Sequence, residues 1–287
     1  KLTKFIKLAK PLITIVSMSI SALVYAFWLG PWFSIGLVTM LFIHEMGHVA
    51  AMKARGYKAS APVFIPFLGA AIFGPKMTNR DDEAFIGIGG PAIGGLAAVI
   101  TFGAWFFIDD KTSSTAIVLL MTSYTATFLN VFNLIPIRPL DGGRVTQTIG
   151  GWFKYVGVVA LGVFSMILRE PVVLFVWILV MSEITFLHLR LRAMIAGLMW
   201  IAMSALMIMG YSTQPVWVDI MDSILAGVLA FGLVAQASTN TDPAHEDDNR
   251  PQLEPKKRLE WFIRYTTLTV ILGGLFLLEI QYLPVAH

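Results

Sequence analysis

His44-Glu45-Met46-Gly47-His48 sits inside an apolar run, with Val38 to Ile43 before it and Val49 to Met52 after it. On a helix, two histidines four residues apart project from one face, roughly 6 Å apart along the axis. Both imidazoles can then reach a single Zn²⁺, which leaves Glu45 beside the open coordination position as a general base. Three ionisable groups within about one turn of a membrane-length segment are costly, so by default they mark a functional site. The chemistry suggested is metal-assisted peptide hydrolysis centred within the bilayer. The plainer alternative is a pair of core histidines hydrogen-bonded to neighbouring helices.

Two histidines do not hold a catalytic zinc alone, because three protein ligands are usual. The chain has no Cys, so a third ligand must be His, Asp or Glu. Asp141 stands in Asn133-Leu-Ile-Pro136-Ile-Arg-Pro139-Leu140-Asp141-Gly142-Gly143. Pro136 and Pro139 are expected to stop the preceding helix, and Gly142-Gly143 to let the backbone turn. A carboxylate there could be aimed back at a metal between spans.

The elements that must position these groups follow from composition. The chain has 287 residues, 56% hydrophobic and 14% charged, with a mean hydropathy of +0.73. Soluble domains carry about 25% charged residues, so a polytopic membrane protein is predicted. At about 20 residues per span, nine candidates can be drawn: 12–29, 32–53, 91–108, 114–135, 153–168, 171–188, 193–210, 219–236 and 261–282. The first of these, after Lys1, Lys4, Lys7 and Lys10, reads as a span rather than a secretory signal. With the N-terminus inside, 19 of the 21 Lys and Arg fall on the inner side, and only Lys111 and Arg169 fall outside. Trp28 and Trp32 flank the first outer turn as interfacial anchors. The ends of the second and fourth spans then share the inner side, which allows His44, His48 and Asp141 to meet.

Residues 59–90 are dense in Pro and Gly and predict short β-rich pieces dipping into the membrane rather than a span. Residues 237–260 read as a polar cytoplasmic linker, and Lys256-Lys257-Arg258 as an orientation signal or a contact to anionic lipid. Glu279 is placed near the outer surface, within reach of water. Asn130 is read as an interhelical hydrogen bond, and the Gly90/Gly94 spacing as packing.

His44-Glu45-Met46-Gly47-His48 together with Asn133-x-x-Pro136-x-x-x-Leu140-Asp141-Gly142-Gly143 resembles the site-2 protease family of intramembrane zinc metalloproteases. Gly90-Pro91-Ala92-Ile93-Gly94 is similar to the small-residue motif of that family. The resemblance covers roughly residues 1–190 as a membrane core. Beyond it lie an additional transmembrane hairpin (191–236), the linker (237–260) and a C-terminal transmembrane helix (261–287). Together with the spans drawn from hydropathy, the predicted fold is an all-α polytopic membrane protein of about nine spans with a small membrane-dipping β region. The resemblance implies one zinc per chain on His44, His48 and Asp141, with Glu45 taking a proton from the water on the metal and passing it to the leaving amine. Asn133 would position the substrate strand, and Val63 to Phe73 would guide an unwound substrate. The expected substrate is a transmembrane protein or peptide, with no nucleic acid, in a bacterial inner membrane. A transporter is the competing class, although no internal repeat is found. A catalytically silent relative is a third reading, and the intact Glu45 argues against it.

Overall fold

The computed structural model describes residues 2–150 except 67, 68, 73, 76 and 137–139, then residues 250–283, with isolated positions between 152 and 205. The chain divides into two compact units, Lys1–Lys154 with Arg250–His287, and Tyr155–Asn249. The fold described here is that of the first. The spans expected over 153–168, 171–188, 193–210 and 219–236 lie almost wholly outside the described residues.

Two long apolar helices open the unit, α1 (Leu2–Leu29) and α2 (Pro31–Ala54). They are joined at Gly30, whose φ of 80° reverses the chain without a Cβ clash. Pro31 then starts α2 at a position that needs no N–H donor. A short antiparallel pair follows, β1 (Val63–Ile65) and β2 (Gly69–Ala71), with Phe64 opposite Ala70. It is held to α1: Thr14 Oγ1 donates to Pro62 O at 2.7 Å, and the Phe64 N–H donates to Ser17 Oγ at 3.1 Å. Phe64 is buried with Tyr25 and Val38.

Helix α3 (Arg80–Phe106) begins earlier than expected, because residues 80–90 are helical rather than broken. Asn79 explains the start. Its side chain accepts from the Asp82 N–H at 2.8 Å, and Asp81, Asp82 and Glu83 fill the first turn, where the helix dipole favours negative charge. α4 (Ser114–Asn133) is capped by Ser113, which accepts from the Ala116 N–H. α5 (Asp141–Ile149) is short, and Gly142-Gly143 lie in its first turn rather than forming a bend. α6 (Pro255–Ile280) also starts earlier than expected, and it takes in Lys256, Lys257 and Arg258. Two of these side chains contact protein: Lys257 Nζ lies 3.2 Å from Asp81 Oδ2, and Arg258 Nε donates to Ile149 O at 2.7 Å.

Five of these helices are long and apolar enough to cross a membrane: Pro11–Leu29, Pro31–Ala54, Arg80–Phe106, Ser114–Asn133 and Pro255–Ile280. Leu12, Ile13, Leu23 and Phe27 on α1, and Val270, Ile271 and Leu277 on α6, are exposed. Such faces are costly in water and neutral in lipid. α3 is central, touching α2, α4, α5 and α6. The largest apolar cluster joins α3, α5 and α6 through Ala84, Val145, Ile149, Trp261, Tyr265 and Leu272.

Glu279 overturns its expected exposure. It is fully buried on α6 and hydrogen-bonded to Ser123 of α4, whose hydroxyl also lies 2.9 Å from Ala98 O of α3. Three helices therefore meet on one carboxyl, and the helix carries it inward instead of leaving it at the rim.

Candidate metal centre

α2 and α5 bring His44, His48 and Asp141 together, all three buried. The imidazoles of α2 meet edge to face, with ring centroids 4.9 Å apart and planes inclined at 80°. His44 Nε2 and His48 Nε2 are 3.2 Å apart. Asp141 Oδ2 lies 3.1 Å from His48 Nε2 and 3.3 Å from His44 Nε2. Ligands about 2.0–2.1 Å from a tetrahedral zinc are separated by roughly 3.3 Å. The triangle is thus nearly the face of such a tetrahedron, and the donor set suits zinc.

Both rings are locked with Nε2 free to ligate. His44 Nδ1 is 2.9 Å from Asn130 Oδ1. The orientation of that amide is fixed, because Asn130 Nδ2 donates to Ala126 O at 2.7 Å. His48 Nδ1 donates to Ile86 O at 2.7 Å. The Gly90 N–H also approaches His48 Nδ1, at 3.3 Å, and the shorter contact decides the tautomer. Placing the proton on each Nδ1 leaves each Nε2 with a lone pair.

The glycines of α3 form the floor beneath the rings. A Cβ at Gly90 would overlap His48 Nε2 and lie 2.7 Å from His44 Nε2. A Cβ at Gly94 would lie 2.5 Å from Asn130 Oδ1. The Gly90/Gly94 spacing therefore accommodates the histidines and their orienting amide, beyond packing helix on helix.

Asp141 is the first residue of α5, where a carboxylate is favoured by the helix dipole. Burial by itself raises this carboxyl, but the imidazoles of His48 and His44 outweigh it and hold the group below the ordinary carboxylate range. Arg144 Nη1 stands 3.8 Å from the other oxygen, Oδ1. Glu45 is half-buried next to His44, within electrostatic reach of His48, His44, Asp141 and Arg144. Asn133 sits at the end of α4, where its Nδ2 donates to Leu129 O of the same helix at 3.0 Å.

A family model, peptidase family M50, matches residues 32–113, the stretch that carries both histidines and the glycine floor. Over those residues the chain is similar to peptidase family M50. Relatives match part of the chain. Zinc metalloprotease MJ0392 of Methanocaldococcus jannaschii is 29% identical over 117 residues, 39% of this chain and 32% of that protein. Rip3 of Mycobacterium tuberculosis is 30% identical over 125 residues, covering 42% and 32%. The protein sll0528 of Synechocystis is 34% identical over 129 residues, covering 42% and 32%. The match thus spans about a third of the length of each relative.

Sequence reasoning saw Asn130 only as a bond between helices and did not single out Arg144 or the Ile86 carbonyl. A polar side chain in mid-span, one turn before Asn133, was the signal for Asn130. A backbone carbonyl leaves no signal in residue type.

Proposed function

We propose that this protein is an intramembrane zinc metalloendopeptidase that hydrolyses peptide bonds within or near transmembrane segments of membrane-protein substrates. The observation that carries the reading is the triangle of His44 Nε2, His48 Nε2 and Asp141 Oδ2, set on and against a helix of spanning length. Zinc bound there supplies a Lewis acid that polarises a carbonyl and lowers the pKa of water to about 7.

The residues of the chain do the rest. His44, His48 and Asp141 hold one cation per chain. Asn130 and the Ile86 carbonyl keep both imidazoles in the ligating tautomer. Glu45 is the base that accepts a proton at its carboxylate and returns it to the leaving amine. Asn133 positions the substrate strand. The β1–β2 pair supports binding of an extended segment by strand addition, which would satisfy backbone groups that lipid cannot. The N-terminus faces the cytoplasm of a bacterial inner membrane. Residues 1–190 form the protease core, the final helix α6 packs against its described part, and the additional hairpin and linker lie between them in sequence.

The test uses the purified full chain in detergent, with zinc measured by elemental analysis and cleavage followed on a single-span membrane protein. Glu45→Gln should retain one zinc per chain and lose cleavage by about 10²–10⁴-fold. Cleavage at the wild-type rate by Glu45→Gln, or by a His44→Ala protein free of zinc, would defeat the reading.

A further inference from the structure

Zinc tolerates ligand displacements of only about 0.2 Å, yet within α5 the contact to Asp141 is a loose one, Arg144 Nη1 at 3.8 Å. The N-cap residue of α5, Leu140, provides no side-chain hydrogen bond. α5 is restrained from outside by α3, where Thr148 Oγ1 donates to Arg80 O at 3.1 Å and Arg80 Nη1 donates to Gln147 O at 3.3 Å, and by α6, which lies far along the chain and outside the stretch matched to the M50 family.

Tyr265 of α6 is buried, and its hydroxyl donates to Leu134 O. Leu134 caps α4, so its carbonyl has no partner within the helix. That carbonyl presses on the residue after Asp141: a Cβ at Gly142 would overlap Leu134 O and lie 2.6 Å from Ile135 O. The Leu134 carbonyl is therefore the stop against which the first turn of α5 rests, and Tyr265 holds the stop. At the other end of α5, Arg258 Nε donates to Ile149 O at 2.7 Å. Between the two ends, Val145 and Ile149 pack with Trp261 and Tyr265 in one cluster. Trp261 Nε1 in turn donates to Asp81 Oδ1 at 2.8 Å, tying α6 to the start of α3. α6 thus grips both ends of the helix that presents Asp141.

We infer that Tyr265 and Arg258 are positioning residues for the third metal ligand, acting through the backbone of α5. The inference rests on the metal-centre reading above. Its test is a double-variant cycle on zinc affinity, measured by chelator competition with the full chain in detergent. Tyr265→Phe removes a single hydroxyl and keeps the ring. It should weaken zinc by about 10-fold or more, in the range of other outer-shell losses. In an Asp141→Ala background the same change should have no further effect. Arg258→Met, which keeps the stem and loses the donor, should behave in the same way. Cobalt-substituted Tyr265→Phe should show a shifted d–d spectrum. Equal weakening in both backgrounds, or none with Asp141 intact, would overturn the inference. Failure of the wild-type chain to bind zinc would instead sink the metal-centre reading, so the two failures are distinct.

Discussion

Replacing Gly90 with Ala separates the fold from the site. The added methyl would overlap His48 Nε2 and stand 2.7 Å from His44 Nε2. Non-bonded carbon contacts need about 3.5 Å, so the His44 ring falls short by about 0.8 Å and the His48 ring by more. Zinc sites tolerate about 0.2 Å. The rings cannot withdraw intact, because Asn130 Oδ1 holds one at 2.9 Å and Ile86 O holds the other at 2.7 Å. The helices cannot part cheaply either, because the backbones of Gly47 and Gly89 are in contact. Relief requires both imidazoles to swing off their anchors. A single outer-shell loss costs about 10–100-fold in metal affinity, so loss of both anchors predicts a drop of about 10²–10⁴-fold, or roughly 3–5.5 kcal/mol. Ala is favoured over Gly in a helix interior by about 1 kcal/mol, which offsets part of the roughly 1–3 kcal/mol that each lost imidazole bond costs, so the metal-free protein should lose about 1–5 kcal/mol and still fold. The assay pairs zinc competition against a chelator with denaturant unfolding in EDTA. A Gly90→Ala protein that binds one zinc within threefold of the wild-type affinity would refute the reasoning.

Three other outcomes are expected. Asn130→Ala frees the His44 ring and should weaken zinc by about 10–100-fold, while Asn130→Asp, which keeps an acceptor at Oδ1, should recover most of the loss in the same competition assay. Glu279→Gln can still bond to Ser123 and should change stability in detergent by less than about 1 kcal/mol, whereas Glu279→Ala should cost about 2–4 kcal/mol through the cavity and the lost bond. On acidification, the folded Asp141 carboxyl titrates below its unfolded value of about 3.9 and so stays ionised as the pH falls toward it. Asp141 should therefore remain a carboxylate down to about pH 4, and a carboxylic-acid infrared band at about pH 5 in the metal-free chain that Asp141→Asn removes would contradict the assignment.

The sequence by itself determined the candidate ligands and the solvent. Histidines four apart in an apolar run can only share a helix face, and a composition so poor in charge can only be covered by lipid. Asp141 was legible because Pro136, Pro139 and the following glycines mark a break where a carboxylate is otherwise unexplained. The tertiary structure decided everything that depends on distance across helices. The three ligand atoms close to within 3.3 Å only because α2 and α5 meet across the glycine face of α3. Asn130 and the Ile86 carbonyl set the tautomers through contacts 86 and 38 residues away in sequence. Glu279 was misplaced because hydropathy reports how deep a residue lies and not which way its helix turns. Residues 80–90 were misread because glycine disfavours an isolated helix by about 1 kcal/mol per residue. Packing against α2 and α5 exceeds that cost, and no local pattern encodes it.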